Sequence, residues 1–122
     1  MNTVWQEQLD KGAATNPRAA YLITPNDLAA RWGVDGLKVL DATTHLRPTE
    51  DGGFASEPGF EDFLSEHIPG AQFADLQGAL SDAESSFRFT VPSAGQFARS
   101  VGALGITAGD EVVIYSSTHP MW

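Results

Sequence analysis

Two short apolar runs, Leu37-Lys38-Val39-Leu40-Asp41-Ala42 and Val112-Val113-Ile114-Tyr115, constrain the fold more than anything else in this sequence. Each is near-continuous and not alternating, the pattern of a strand covered on both faces, which belongs to parallel sheets with helices on either side. The second is also β-branched, as buried strands are. Helix signals precede and separate them. Thr24 is a good N-cap, Pro25 suits the first helical position, Asp27 falls in the first turn and Gly33 fits C′, so a helix is expected over Pro25 to Trp32, with Leu28 and Trp32 on one face. Phe60, Phe63 and Leu64, at i, i+3, i+4, predict a short helix ending in Ser65-Glu66-His67 before Pro69. Ala71, Phe73 and Leu76 suit a second short strand and its exit. Ser93 with Gln96 forms a capping box, Phe97, Val101 and Leu104 recur at i, i+4, i+7, and Gly105 stands at C′.

Helix, strand, helix, strand, helix, strand specifies an α/β domain with a mostly parallel central sheet flanked by helices. Residues 43–59 carry Pro48, Gly52, Gly53, Pro58 and Gly59 among polar side chains and read as a long surface loop. Met1 to Ala20 lacks sustained periodicity and reads as an arm, which Trp5 and Leu9 suffice to pin as one helical turn. A crossover is needed after the Val112 to Tyr115 strand to cover it, yet the sequence given stops at Met121-Trp122. The expectation is a domain truncated on its C-terminal side, exposing apolar surface, marginal or oligomeric alone and completed by a partner chain or a missing remainder.

At 122 residues the chain amounts to about one domain. Seven Lys and Arg against sixteen Asp and Glu give a net charge of −9, which disfavours nucleic acid and anionic lipid as partners. There is no cysteine, so disulfides, thiolate metal sites and cysteine nucleophiles are excluded, and a reducing cytoplasm suits such a chain. No stretch of about 18 apolar residues is present to span a bilayer, and Met1 to Asp10 lacks the basic start and apolar run of a signal peptide. A cytoplasmic location follows by default.

Ligands of open α/β sheets bind beyond the carboxyl ends of strands, here Asp41 to Thr44 and Ser116 to Pro120. Ser116, Ser117, Thr118 and His119 contain a hydroxyl and an imidazole, but G-x-S-x-G is missing and no third orienting group is specified. His45, His67 and His119 lack metal-ligand spacing, so neither a metal nor a cofactor is expected. Six carboxylates and no Lys or Arg lie between Glu50 and Glu66; a solvated acidic face accounts for them, and metal binding is the sharper alternative, without an EF-hand pattern. Asp41 is either a catalytic group or an acceptor for nearby loop amides. His67-Ile68-Pro69-Gly70-Ala71 combines a helix end, a Pro-Gly turn and a small residue that lets the next strand start close-packed.

At these residues the chain resembles the rhodanese superfamily, specifically the N-terminal domain of two-domain thiosulfate and 3-mercaptopyruvate sulfurtransferases. Phe63 followed by His67-Ile68-Pro69-Gly70-Ala71 matches the family signature, with Ala74 where a larger side chain is usual. Leu22-Ile23-Thr24-Pro25, Val39-Leu40-Asp41-Ala42, Pro92-Ser93 with Gln96-Phe97-Ala98, Val101-Gly102 with Leu104-Gly105-Ile106, and Val112 to Tyr115 look like the same family in the same order. The resemblance covers residues 21–122 and leaves 1–20 as the arm; Phe87-Arg88-Phe89-Thr90-Val91 departs from the family's usual segment.

The resemblance implies that the nucleophilic Cys of catalytic members stands at the position of Ser116, and that a second domain supplies it. A serine hydroxyl is far less acidic than a thiol and cannot store sulfur as a persulfide, so the chain alone is expected to be inactive. The implied activity of the complete protein is transfer of sulfane sulfur from thiosulfate or 3-mercaptopyruvate, a small sulfur-donor substrate, to a thiophilic acceptor such as cyanide. Its implied partner is a C-terminal catalytic rhodanese domain or chain. A non-catalytic rhodanese-like protein-interaction module is the alternative. For His67 the resemblance implies a supporting catalytic role across the domain interface, handling a proton, while the plainer account has it hydrogen-bonded to carbonyls beside the Pro69-Gly70 turn.

Overall fold

The computed structural model describes residues 20–118, so the expected arm up to Arg18 and Ala19, and His119 to Trp122, lie outside the described residues. The chain divides into two compact units between Val34 and Asp35. In the first, helix α1 (Pro25–Arg31) starts as its sequence dictates, with Thr24 Oγ1 accepting from Asp27 N at 3.1 Å. Leu28 is buried, whereas Trp32, expected on the same face, is 57% exposed. Trp32 is the C-cap, with ψ 133°, where the chain leaves the helix.

In the second unit, β1 (Leu37–Asp41) is the centre of a three-stranded parallel sheet. On one side it pairs with β5 (Glu111–Tyr115), Leu37 opposite Glu111 through Asp41 opposite Tyr115, and on the other with the two-residue β4 (Gln72–Phe73). Val39 and Leu40 point to opposite faces and both are buried, which confirms the reading of β1 as covered on two sides. Each such side chain contributes about 1.5–3 kcal/mol by leaving water. Under one face Leu40, Ala42 and Ala74 form the core against Leu76, Leu80, Leu104 and Ile106. An aromatic cluster also forms: Phe73 lies 5.3 Å from Phe60 and 5.7 Å from Phe63, between ring centroids.

Three expectations fail. Residues 43–59 are not a loop but an antiparallel hairpin of β2 (Thr44–Pro48) and β3 (Phe54–Pro58), with Thr44 opposite Pro58 and Pro48 opposite Phe54. Its prolines end their strands, where the missing N–H costs least. β5, an edge of the sheet among the described residues, is not buried on both faces as its own pattern suggests, but leaves the apolar surface expected where a covering crossover is needed: Val113 and Tyr115 are half-buried while Val112 and Ile114 are 37% and 64% exposed. Finally, Gln96 does not complete a capping box. In α3 (Ala94–Ala103) Ser93 Oγ accepts from Gln96 N at 3.2 Å, but the Gln96 amide donates to Ala79 O and Ser81 O at 3.1 and 2.6 Å. It ties the helix to the loop before it, as does Ser100 Oγ, donating to Ala79 O. Phe97, at the head of the expected stripe, is half exposed, whereas Leu104 packs into the core. Among the described residues no helix is long and apolar enough to cross a membrane.

Candidate functional site

The carboxyl ends of β1 and β5 meet in a small polar network. Asp41, at the last position of β1, is 1% exposed and accepts from Thr43 N at 2.9 Å and Thr43 Oγ1 at 2.5 Å. Its role as an acceptor for loop amides is therefore met by its own neighbour two residues on, the turn that Asp side chains favour. Thr43 has one hydroxyl proton and gives it to the carboxylate. Its oxygen then accepts from Ser117 N at 2.9 Å, and Ser117 Oγ, at 3.2 Å, serves as a second donor. Thr43 is wholly buried and so joins the two loops the sequence had marked.

Helix α2 (Phe60–Ser65) enters this corner at Gly59, whose N donates to Thr43 O at 2.8 Å. Glycine is demanded there by space. A Cβ on Gly59 would stand 2.6 Å from Thr43 Cγ2 and 2.9 Å from Thr43 O. After the helix the chain turns at Ile68-Pro69-Gly70-Ala71, with Ala71 N donating to Ile68 O at 2.9 Å and Gly70 at φ +82°. That is the Pro-Gly turn expected from sequence, with glycine at the left-handed position. Ile68 N, beside it, donates to the Tyr115 hydroxyl at 3.0 Å. Partial burial raises the Tyr115 pKa above its ordinary value, and the Asp41 carboxylate adds to this, while the Ile68 N–H works against it.

Around Tyr115 opens a cleft of about 580 Å³ lined by Asp62, Ser65, Glu66, His67, Ile68, Pro69, Tyr115 and Ser117. His67 stacks on Phe63, ring centroids 3.9 Å apart, and its Nδ1 lies 2.6 Å from Phe63 O. A carbonyl only accepts, so Nδ1 carries a proton. The partner is the helix carbonyl four residues back, not a carbonyl of the Pro69-Gly70 turn. His45 Nε2 lies 2.5 Å from Asp62 Oδ2, tying the hairpin to α2. Among the described residues neither Lys nor Arg lines the cleft, and no three His, Asp or Glu converge as metal ligands.

Ser116 follows β5 and is half-buried. Its Oγ accepts from Thr118 N at 3.3 Å and lies 3.1 Å from Thr118 Oγ1. The amides of Ser117 and Thr118 are thus both occupied by hydroxyls. Ser116 is not among the residues lining the cleft that contains His67, and no hydrogen bond joins the two. Thr43 and Tyr115 were not singled out from sequence. The available signals were an Asp-x-Thr step at a strand end and a lone hydroxyl closing an apolar run, since a Tyr O–H that leaves water takes a partner.

No family model matches the chain. Similarity to known enzymes is nevertheless clear. The chain is 33% identical to the 3-mercaptopyruvate sulfurtransferase of Rattus norvegicus over 94 residues, 75% of this chain and 31% of that protein. It is 35% identical to the thiosulfate sulfurtransferase of Bos taurus over 80 residues, 66% of this chain and 24% of that protein. Against thiosulfate/3-mercaptopyruvate sulfurtransferase 1, mitochondrial, of Arabidopsis thaliana it is 29% identical over 124 aligned residues, 93% of this chain and 31% of that protein. The chain spans about a quarter to a third of the length of these curated relatives. Similarity to several sulfurtransferases, together with the parallel sheet and the His67 to Ala71 turn, places this chain in the rhodanese superfamily.

Proposed function

We propose that the chain is the catalytically silent N-terminal domain of a two-domain cytoplasmic sulfurtransferase, which moves sulfane sulfur from thiosulfate or 3-mercaptopyruvate to a thiophilic acceptor such as cyanide. The observation that carries this reading is Ser116: it occupies the first position after β5, where the resemblance puts the nucleophile, in a chain without cysteine. Sulfur transfer requires a thiolate to attack the donor and hold the sulfur, and no group here does that. The cleft supports the same reading. Asp62 and Glu66 give it a negative rim with no Lys or Arg among the described residues of its lining, so an anionic donor needs cationic groups from outside them. A C-terminal rhodanese domain or chain carrying the Cys supplies both.

Thiocyanate formation from cyanide and either donor tests the proposal, measured for the 122-residue chain and for the complete gene product. The chain alone is expected to be inactive, and the complete product active and inhibited by alkylation of one cysteine. Activity from the cysteine-free chain, or a complete product inert with both donors, overturns it; the latter favours a non-catalytic interaction module.

A further inference from the structure

The segment from Asp82 to Thr90 closes on itself. Asp82 N donates to Thr90 O at 2.9 Å, Phe87 N donates to Ser85 Oγ at 3.1 Å, and Thr90 Oγ1 lies 2.8 Å from Ser85 Oγ and 3.0 Å from Phe87 O. The Ser85 and Thr90 hydroxyls are spent within the loop, while its large apolar side chains face water: Phe87 is 79% exposed and Phe89 39%, followed by Val91 at 84%. Phe89 also has φ +57°, the one non-glycine among the described residues in the left-handed region. A bulky residue seldom adopts that conformation, and the closing hydrogen bonds hold it. Between the two phenyl groups Arg88 turns its guanidinium onto the carbonyl of Phe54, a third exposed phenylalanine, at the start of β3. Loop and hairpin turn are thereby linked.

The charged residues that neighbour these phenylalanines in sequence are mostly negative. Glu84 lies in the loop, and Glu50 and Asp51 in the hairpin turn. Asp51 accepts from Thr49 Oγ1 and Gly53 N, which hold its carboxyl below the ordinary value and keep it charged. Arg88 is already engaged. Apolar side chains exposed together beside carboxylates mark an interaction surface, and the sign of the charge selects the occupant. An anionic membrane is repelled, and a second copy of this chain would bring the same carboxylates against these.

We propose that Phe87, Phe89 and Phe54 form a docking surface for a basic amphipathic segment of a partner protein, with Lys or Arg of that segment facing Glu84, Glu50 and Asp51. This surface does not depend on the sulfurtransferase reading.

The experiment uses the complete gene product and a labelled 14-residue peptide of Lys, Leu and Trp, with a Glu-for-Lys peptide as control, followed by fluorescence anisotropy. Saturable binding of the basic peptide alone is expected, weakened at least tenfold by Phe87→Ser, severalfold by Glu84→Gln and by added salt, and unchanged by Phe97→Ser, another exposed phenylalanine, on α3. Circular dichroism checks that each variant is folded. Equal binding of both peptides, or no effect of Phe87→Ser in a folded variant, overturns the proposal. So does dissociation of a self-dimer by Phe87→Ser, which makes a second copy the occupant, or strong hydrogen-exchange protection of residues 85–91 in the protein alone, which means its own remainder already covers them.

Discussion

The amide of Ser117 donates to Thr43 Oγ1 at 2.9 Å across 74 residues of sequence, and the same threonine hydroxyl gives its proton to the buried Asp41 carboxylate. One side chain thus holds the loops after β1 and β5 together. Thr43→Val keeps the shape and deletes both bonds, leaving the carboxylate and the Ser117 N–H short of a partner. It is expected to cost about 1–3 kcal/mol in urea unfolding, with Thr43→Ser within about 1 kcal/mol of the parent.

Gly59→Ala forces a methyl group against Thr43 and is expected to destabilise by about 1–3 kcal/mol. Because the obstruction includes a backbone oxygen, the damage should extend to the network: crystals of the variant should show a longer Thr43 to Ser117 separation. Gly53→Ala, whose Cβ meets only the side chains of Thr49 and Asp51, is the milder control.

Tyr115 makes stability pH-dependent on the alkaline side. Its folded pKa is raised, so above about pH 10 the unfolded chain loses the phenol proton while the folded chain keeps it. Unfolding is then favoured as pH rises towards the folded value, and stability falls through that window. Melting temperatures between pH 8 and 11 should decline less steeply in Tyr115→Phe, which at neutral pH gives up the Ile68 N–H bond and about 1 kcal/mol.

Gln96 is a tether, so Gln96→Glu should be worse than Gln96→Ala. A carboxylate cannot donate to Ala79 O and Ser81 O, and it faces both carbonyls with its charge. Losses of about 1–2 kcal/mol for alanine and more for glutamate are expected in the same unfolding assay, against about 1 kcal/mol for the cap variant Ser93→Ala.

His67→Asn, made in the complete enzyme, separates a structural imidazole from a proton-handling one. The asparagine amide still donates to Phe63 O, so near-normal turnover with an unchanged pH profile is expected. A large fall in turnover at an unchanged melting temperature would instead place His67 in the catalytic apparatus.

The helix starts at Thr24 and Ser93, the turn at Pro69-Gly70 and the strands at Leu37 and Val112 were legible because each is set by neighbours within a few residues. The hairpin was not. Thr44 to Pro48 and Phe54 to Pro58 lack an apolar alternation and each contain a proline, so their pairing is fixed by partners across the turn, and their own pattern is silent. Gln96 shows the converse: a valid local motif whose side chain was drawn off by carbonyls fifteen and seventeen residues away. At the site, Asp41, His67 and Ser116 stand out by type and position, whereas Thr43 matters through Ser117, a pairing that only the closed sheet reveals.

The central place of β1 also sets an order of events during synthesis. Among the described residues its one neighbour upstream of residue 111 is the two-residue β4, so an emerging chain holds Val39 and Leu40 ready long before β5 arrives to pair with them. Closure over so long a stretch is slow compared with helix formation. While the ribosome is still extending the chain, the centre of the sheet therefore stays open to wrong partners until β5 emerges to pair with it.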